Sequence, residues 1–267
     1  MKHRPIGIFD SGLGGLSVAG ALTKLLPHED IVYFGDTGRV PYGTRSKETI
    51  AQYTAQDIEF LQTHGVKFII AACGTVSSVA AHVGEGCGTP FIGVVTPTAK
   101  AAVAATKNGK IGIIGTAATI ASNSYATQIH KENPNLQVFG QPCPLFVPMV
   151  EEGFIDQNDP LPLTVCQRYL TPLKEQGVDT LILGCTHFPL LAPIIQKVMG
   201  QEVTLIDSGL ATATHVAGVL KEANLLNPQT QVGTQEYFVS DRAETFCDIA
   251  GRFLGREIPA VTKVVLG

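Results

Sequence analysis

Short apolar runs alternate with helical patterns along this chain. Up to residue 95 the runs occupy residues 6–9, 31–34, 68–72 and 91–95. Helical patterns separate them, including one near residues 76–83, with Gly and Pro residues at the connections. Continuous apolar strands joined through helices are typical of a parallel sheet that is covered on both faces. The alternation therefore predicts an α/β fold.

The pattern begins again after residue 96 and echoes the first half. The apolar run at 111–114 repeats the run at 6–9 at an offset of 105 positions, and Cys185 repeats Cys73 at an offset of 112. Each of these cysteines follows a short apolar run and precedes small or hydroxylated residues. Two echoes in the same order predict two similar α/β halves.

A third echo indicates where the chain returns to the first half. Residues 207–209 repeat the Asp-Ser-Gly sequence of residues 10–12, and a predicted strand at 237–239 and helix at 243–254 follow. Asp and Ser at such positions are also ordinary N-caps of helices. We predict two pseudo-symmetric lobes, each a mostly parallel sheet flanked by helices. The predicted lobes comprise residues 1–95 with 208–267, and residues 96–207.

Composition excludes several classes of protein. The 267 residues are 45% hydrophobic and 16% charged, as in ordinary globular domains. A formal net charge of −4 offers no basic surface, so we predict no nucleic-acid partner. No apolar stretch approaches the roughly 18 residues that a membrane helix needs, and the first residues lack the apolar region of a signal peptide. We therefore expect a cytoplasmic protein with no membrane partner.

Two of the six cysteines are the first candidates for chemistry. Cys73 and Cys185 each lie where a parallel strand ends and a helix begins, which is where α/β sheets bind ligands and where thiolate is favoured. If the two strands are equivalent, the thiols face each other across a cleft between the lobes. Such a pair suits a proton donor and a proton acceptor on the two faces of a substrate carbon. The other cysteines are predicted to be free structural thiols: Cys87, Cys143, Cys166 and Cys247.

A histidine and an aspartate are placed to tune these thiols. His187 lies two residues beyond Cys185, and Asp10 ends the first strand. The Cys-x-His spacing also occurs in zinc sites, but a catalytic zinc site needs about three protein ligands, and the sequence has no further close-spaced pair. We therefore predict no metal. We predict instead an imidazole and a carboxylate that assist the neighbouring thiols.

Three turns have the composition of a binding cleft. The glycine-rich turn at 12–17 precedes a helix, and Asp36 ends the next strand, as in a dinucleotide-binding motif, although Ser17 replaces the third glycine. A nicotinamide cofactor is therefore a weaker alternative to binding of a small carboxylate by backbone amides. The turns at 41–43 and 115–119 add a Pro-Tyr-Gly sequence and two threonine hydroxyls.

Together these motifs resemble those of the glutamate racemases, in the cofactor-independent aspartate/glutamate racemase superfamily. The resemblance extends from about residue 5 to about residue 255. It implies a homodimer of two-lobed subunits, with an active site between the lobes that interconverts L- and D-glutamate without a cofactor. D-glutamate made in this way supplies bacterial peptidoglycan synthesis. The matching segments are residues 10–15, Asp36 with 41–43, Ala72-Cys73 with Thr75, Gly115-Thr116 with Thr119, and 184–187.

The resemblance also implies roles for individual residues. Cys73 would take the α-proton from D-glutamate and Cys185 the α-proton from L-glutamate, each reprotonating the opposite face. Asp10 and His187 would assist their neighbouring thiols, and Glu152 would support His187. The implied substrate-binding residues are Asp10, Ser11, Pro41, Tyr42, Gly43, Gly74, Thr75, Thr116, Thr119, Cys185, Thr186 and His187.

One departure from the family pattern concerns the first thiol. The family usually has Asn immediately after the first cysteine, and this chain has Gly74, so it lacks an amide that is expected to contact substrate. Retention of Cys73 argues against the related decarboxylases, which lack this cysteine. Three alternatives stay open. They are a racemase of aspartate or another acidic amino acid, a nicotinamide-binding dehydrogenase, and a regulatory or binding module without catalytic activity.

Overall fold

Two parallel β-sheets covered by helices make up the protein. The computed structural model describes residues 1–241, 243–258 and 260–266, with the backbone alone at 244, 245, 248, 249 and 252. The strands are β1 (Ile6–Asp10), β2 (Ile31–Gly35), β3 (Phe68–Ala71), β4 (Phe91–Gly93), β5 (Lys110–Gly115), β6 (Gln137–Pro142), β7 (Thr180–Leu183), β8 (Thr204–Asp207), β9 (Gln235–Val239) and β10 (Thr262–Lys263).

The helices connect successive strands. No helix in the described part of the chain is long and apolar enough to cross a membrane. The α-helices are α1 (Leu16–Leu25), α2 (Lys47–Thr63), α3 (Gly74–Val79), α4 (Ala81–Glu85), α5 (Val95–Ala105), α6 (Ala117–Ala121), α7 (Ser124–Glu132), α8 (Phe146–Glu151), α9 (Pro160–Glu175), α10 (Ala192–Met199), α11 (Ser208–Glu222) and α12 (Ala243–Leu254), with 3-10 helices at Tyr42–Thr44 and Phe188–Leu191.

The two sheets have corresponding strand orders. The first has the order β10-β9-β2-β1-β3-β4 and the second the order β6-β5-β7-β8, with parallel pairing in both. Four strands of each sheet therefore follow the same path, in which β1 corresponds to β5 and β3 to β7. The sequence echoes lie on these corresponding strands. The predicted α/β fold of two parallel sheets is confirmed, and the division of the chain at 95/96 and 207/208 stays a prediction.

Burial on both faces explains the apolar runs of the central strands β1, β2 and β3. All five residues of β1 are buried. Ile8 packs in the cluster that α1 and α11 form with one face, and Phe9 packs in the cluster that α2 forms with the other. Helices on both faces leave the carboxyl ends of the strands as the open edge where a ligand binds.

Two differences from the sequence pattern lie in the segment that follows β3. The strand expected over 91–95 ends at Gly93, because the Val94 N–H donates to Ser77 Oγ at 3.0 Å instead of to a neighbouring strand. The helix expected near 76–83 is divided at Ala80, whose φ of −132° is not helical, into α3 and α4. Helix α3, which follows Cys73, is therefore only six residues long.

Candidate active site

The carboxyl ends of the two sheets enclose one cavity. The turns after β1, β2 and β3 face the turns after β5 and β7, and the volume between them is about 450 Å³ including its open mouth. Ligands of open α/β sheets bind at this edge. The lining residues are Ser11, Gly12, Val40, Pro41, Tyr42, Gly43, Cys73, Gly74 and Thr75 from the first sheet's side, and Thr116, Val147, Glu151, Gly184, Cys185, Thr186 and His187 from the second.

Both candidate thiols reach this cavity from corresponding turns. Cys73 follows β3 and is the N-cap residue of α3, and Cys185 follows β7. The two residues are only 5% and 8% exposed. Cys73 Sγ donates to Ser11 Oγ at 3.5 Å, and Cys185 Sγ lies 3.9 Å from His187 Nδ1. Each sulfur is therefore almost shielded from solvent and has a polar side chain beside it.

Burial determines the protonation state of Cys73. Loss of solvation raises the pKa of this thiol to about 12, and the negative charge of Asp10 acts in the same direction. The hydrogen bond with Ser11 offsets only part of this rise. From the sequence, the helix that follows Cys73 is expected to favour the thiolate. Helix α3 has only six residues, and its effect on the pKa does not outweigh that of burial. Cys73 is a thiol at neutral pH and can donate a proton.

His187 carries a positive charge beside the second sulfur. Burial alone would lower the pKa of His187, but hydrogen bonds with Cys185 and Glu151, together with negative charge on Cys185 and Asp10, raise it to about 10. Nε2 lies 3.1 Å from Glu151 Oε1. Phe253 packs its ring at a right angle to the imidazole, with centroids 5.7 Å apart. Among the described residues, no cluster of three or more potential metal ligands includes this pair.

The carboxylate that supports His187 belongs to Glu151, and the expectation of Glu152 is wrong by one position. Val147 and Glu151 are four residues apart on α8, so they share one face of the helix, and both line the cavity. Glu152 follows about 100° further around the axis and is exposed. One position on this short helix therefore decides which of the two carboxylates is the partner of His187.

Substitution of each glutamate separates their roles. In Glu151→Gln, His187 is expected to titrate about one pH unit lower than in the parent protein, because a partly exposed charge and a charge-assisted hydrogen bond are lost. Glu152→Gln is the matched control and is expected to leave this titration unchanged. NMR titration of the histidine ring protons, with His187→Asn to assign the signal, measures both. Equal shifts in the two variants would contradict the assignment.

Asp10 lies behind the cavity wall and acts on both thiol sites. It is fully buried at the end of β1, where Oδ2 accepts from the Gly12 N–H at 2.9 Å. Burial raises the pKa of Asp10, while the positive charge of His187 and backbone amides act in the opposite direction. Its charge in turn raises the pKa of both Cys73 and His187. Asp10, predicted to contact substrate, is not among the lining residues.

Asp36 belongs to a buried polar network and not to a nucleotide site. Its Oδ1 accepts from Ser240 Oγ at 2.7 Å, and its Oδ2 accepts from Arg39 Nε at 2.5 Å and from the Tyr42 hydroxyl. Both carboxylate oxygens are occupied and the side chain is fully buried. Asp36 is therefore unavailable to a ribose hydroxyl, which argues against the nicotinamide alternative. The network instead anchors the turn that brings Tyr42 into the cavity wall.

Threonine hydroxyls meet between the two lobes. Thr75 Oγ1 and Thr116 Oγ1 are 3.1 Å apart, and Thr116 accepts from the Thr119 N–H at 3.2 Å as the N-cap of α6. Thr116 also donates to Thr119 Oγ1 at 3.0 Å. Thr119 is buried behind Thr116, outside the cavity wall, so it orients Thr116. Thr75 and Thr116 line the cavity.

Some lining residues were not among the predicted substrate-binding residues. Gly12 and Gly184 adjoin predicted site residues within the matched segments. Val40 precedes the predicted 41–43 turn, and its peptide bond to Pro41 is cis. Val147 and Glu151 come from α8, and only their helical spacing would have signalled that they share a face. These residues are Gly12, Val40, Val147, Glu151 and Gly184.

One nearly buried thiol from each half of this two-lobed α/β protein lines the shared cavity, an arrangement that suits acid–base chemistry. Comparison with known proteins identifies the family. The Asp/Glu/hydantoin racemase profile matches residues 17–216, and this chain belongs to that family.

Several similar proteins are glutamate racemases, matched along the whole chain. The glutamate racemase of Geobacter metallireducens is 45% identical over 267 residues, which cover 100% of this chain and 98% of that protein. The crystal structure of the Francisella tularensis glutamate racemase in complex with D-glutamate is 40% identical, with a TM-score of 0.93 and coverage of 100% and 99%. A Bacillus anthracis glutamate racemase isoform is 38% identical, with a TM-score of 0.95 and the same coverage.

Proposed function

We propose that this enzyme interconverts L- and D-glutamate without a cofactor and uses Cys73 and Cys185 as its two acid–base groups. The observation that carries the proposal is that thiols on corresponding strands of the two sheets line one cavity. Relatives matched over 98–99% of their length are glutamate racemases, and one of them was solved with D-glutamate. These likenesses support glutamate as the substrate.

The reaction needs a base on one face of the α-carbon and an acid on the other. With L-glutamate, the Cys185 thiolate takes the α-proton, so that the C–H bond breaks, an S–H bond forms and the electron pair stays on the substrate. The Cys73 thiol then gives its proton to the opposite face and becomes a thiolate. D-glutamate reacts through the reverse sequence. One turnover exchanges the protonation states of the two sulfurs, and exchange with solvent or the reverse reaction restores them.

The site must stabilise a carbanion, because an amino-acid α-proton is far less acidic than a thiol. The electron pair delocalises into the substrate carboxylate, and preorganised donors in a nearly dry cavity stabilise the resulting charge. Thr75, Thr116 and Thr186 supply hydroxyl groups there, and His187 supplies a positive charge. Low solvent exposure strengthens each of these interactions.

We assign the binding of the substrate carboxylates and amine to the cavity wall. Two predicted binding residues do not line the cavity and act indirectly. Thr119 orients Thr116, and the charge of Asp10 acts on both thiol sites. Glu151 takes the role that the resemblance implied for Glu152. The assigned wall residues are Ser11, Pro41, Tyr42, Gly43, Gly74, Thr75, Thr116, Cys185, Thr186 and His187.

Proton exchange with solvent tests the proposed reaction. Each enantiomer of glutamate, incubated with the enzyme in deuterated water, is expected to lose its α-proton NMR signal as optical rotation decays to zero. The physical reason is that the proton added to the opposite face comes from a thiol that has equilibrated with solvent. Racemisation with full retention of the α-proton would contradict a two-base route. L-aspartate in the same assay is the control, and faster turnover of aspartate would favour the alternative substrate.

We further propose that the enzyme works as a cytoplasmic homodimer and that its D-glutamate supplies peptidoglycan synthesis. The resemblance to glutamate racemases supports both statements. Closed two-fold dimers are also the commonest assemblies of soluble proteins. Sedimentation velocity is expected to give about twice the 28.3 kDa chain mass. A fully active monomer at assay concentration would contradict the dimer.

A further inference from the structure

Three successive turns of the first sheet each bring a glycine against the second lobe. Gly14 lies between β1 and α1, Gly43 lies in the 3-10 helix after β2, and Gly74 begins α3 after β3. Since β2, β1 and β3 are neighbours in the sheet, the three glycines lie along one edge. Opposite them are residues of the turns that follow β5 and β7.

Each of these glycines lies too close to the second lobe for a side chain. A Cβ atom on Gly74 would overlap the carbonyl oxygen of Gly184, far inside the 3.0 Å below which real Cβ contacts are not found. A Cβ atom on Gly14 would lie 2.7 Å from both Thr186 Cβ and His187 Nδ1. Ordinary non-bonded carbon contacts are about 3.5–4.0 Å. At Gly74 the two lobes therefore approach backbone to backbone, and at Gly14 the backbone of the first lobe approaches side chains of the second.

The third contact is milder. A Cβ atom on Gly43 would lie 3.0 Å from Thr116 Cβ and 3.2 Å from its methyl group. Conformational freedom does not explain glycine at any of the three positions. The glycines with positive φ are elsewhere, at residues 65, 88, 109, 153, 177, 200 and 255. What the three positions share is the close approach of the opposite lobe.

We propose that Gly14, Gly43 and Gly74 form a seam that sets the separation of the two lobes and thereby positions the two thiols. The inference rests on the proposed two-thiol reaction for its catalytic meaning. Gly74 adjoins Cys73, and its partner Gly184 adjoins Cys185, so the tightest contact of the seam directly joins the two catalytic turns. The family's usual Asn after the first cysteine would not fit at this separation.

Thiol separation matters because both sulfurs must reach the same carbon. Proton transfer needs reacting atoms about 3–3.5 Å apart, and a displacement of about 1 Å costs about 10²-fold in rate. A methyl group in the seam would act as a wedge between the lobes. The lining thiols would then move apart and become accessible to solvent, although neither sulfur is altered.

The contacts predict an order of effects. At Gly74 the obstacle is a backbone carbonyl, which cannot rotate away. At Gly14 part of the obstacle is the Thr186 side chain, which can shift, and at Gly43 the obstacle is a threonine at 3.0 Å. Alanine is therefore expected to reduce kcat about 10²-fold at Gly74, less at Gly14 and least at Gly43.

Alkylation of the opposite thiol tests the seam independently of activity. Gly74→Ala is expected to raise the rate at which iodoacetamide modifies Cys185 at least about tenfold. The reason is that lobes held apart expose the thiol of the second lobe as well as Cys73 of the first. Peptide mass spectrometry measures the rate. Gly218→Ala is the matched control: Gly218 lies in α11, and an added methyl group there would meet no neighbouring atom within 4 Å. It is expected to leave both alkylation and kcat at parent values.

Other results would overturn the seam. If Gly74→Ala keeps the parent rate of Cys185 alkylation and the parent kcat, the seam is refuted. Accelerated alkylation of Cys73 alone would also refute it, because that result indicates a change confined to the substituted turn. If Gly74→Ala does not show a parent-like thermal unfolding transition, Gly14→Ala carries the same test. Because alkylation requires no substrate, the seam can fail or succeed separately from glutamate racemisation.

Discussion

Replacement of Cys73 or Cys185 with alanine is expected to reduce kcat for racemisation by at least about 10³-fold. Each positioned acid–base group contributes about 10²–10⁴-fold to the rate. Apart from these two cysteines, no described side chain in the wall carries a sulfur that could replace the lost one. Loss of either thiol leaves one face of the α-carbon without its proton donor or acceptor. Coupled polarimetry of both enantiomers measures the loss.

Isotope exchange in the same variants assigns each thiol to a face. Cys73→Ala keeps Cys185, so in deuterated water it is expected to incorporate deuterium at the α-carbon of L-glutamate without inversion. D-glutamate is expected to stay unlabelled. Cys185→Ala is expected to show the opposite pattern. Cys87→Ala is the control, because its thiol is outside the cavity wall and donates to the Thr89 carbonyl at 3.3 Å. Labelling of the wrong enantiomer would reverse the assignment, and full activity of Cys73→Ala would refute it.

The strand-end positions of the thiols are predictable because they depend on local pattern and simple topology. Apolar runs determine the strands, and parallel strands present their carboxyl ends at one edge of the sheet. Once the run before Cys185 is recognised as an echo of the run before Cys73, a shared cleft follows. The corresponding strand orders of the two sheets explain why the echo is informative.

Other features depend on distant parts of the chain and leave no local signal. One partner of Asp36 is Ser240, which is 204 positions away, so a carboxylate that resembles a ribose-binding acid is already hydrogen-bonded within the protein. The high pKa of Cys73 results from burial by elements that assemble only in the folded protein. The choice of Glu151 over Glu152 depends on the phase of α8, and one residue decides which carboxylate faces the cavity.

His187→Asn is expected to reduce kcat/KM about 10²-fold in both directions. The variant removes the positive ring 3.9 Å from Cys185 Sγ, so the C–H bond of L-glutamate breaks more slowly. Because the equilibrium between enantiomers is even by symmetry, kcat/KM must fall equally for L- and D-glutamate. A ratio of rates therefore cannot reveal which thiol was weakened.

The primary deuterium isotope effect can show which of the two thiols was weakened. When proton removal by Cys185 becomes slower, that step limits the rate more completely, so α-deuterated L-glutamate is expected to show a larger isotope effect in His187→Asn than in the parent enzyme. D-glutamate loses its proton to Cys73 before the slowed Cys185 step, so its primary isotope effect is expected to fall. His187 also keeps its charge across the neutral range, since its pKa is about 10, so the contrast is expected at every pH from about 7 to about 9. An isotope effect that rises equally for both enantiomers would mean that His187 acts on the whole cavity and not on one thiol.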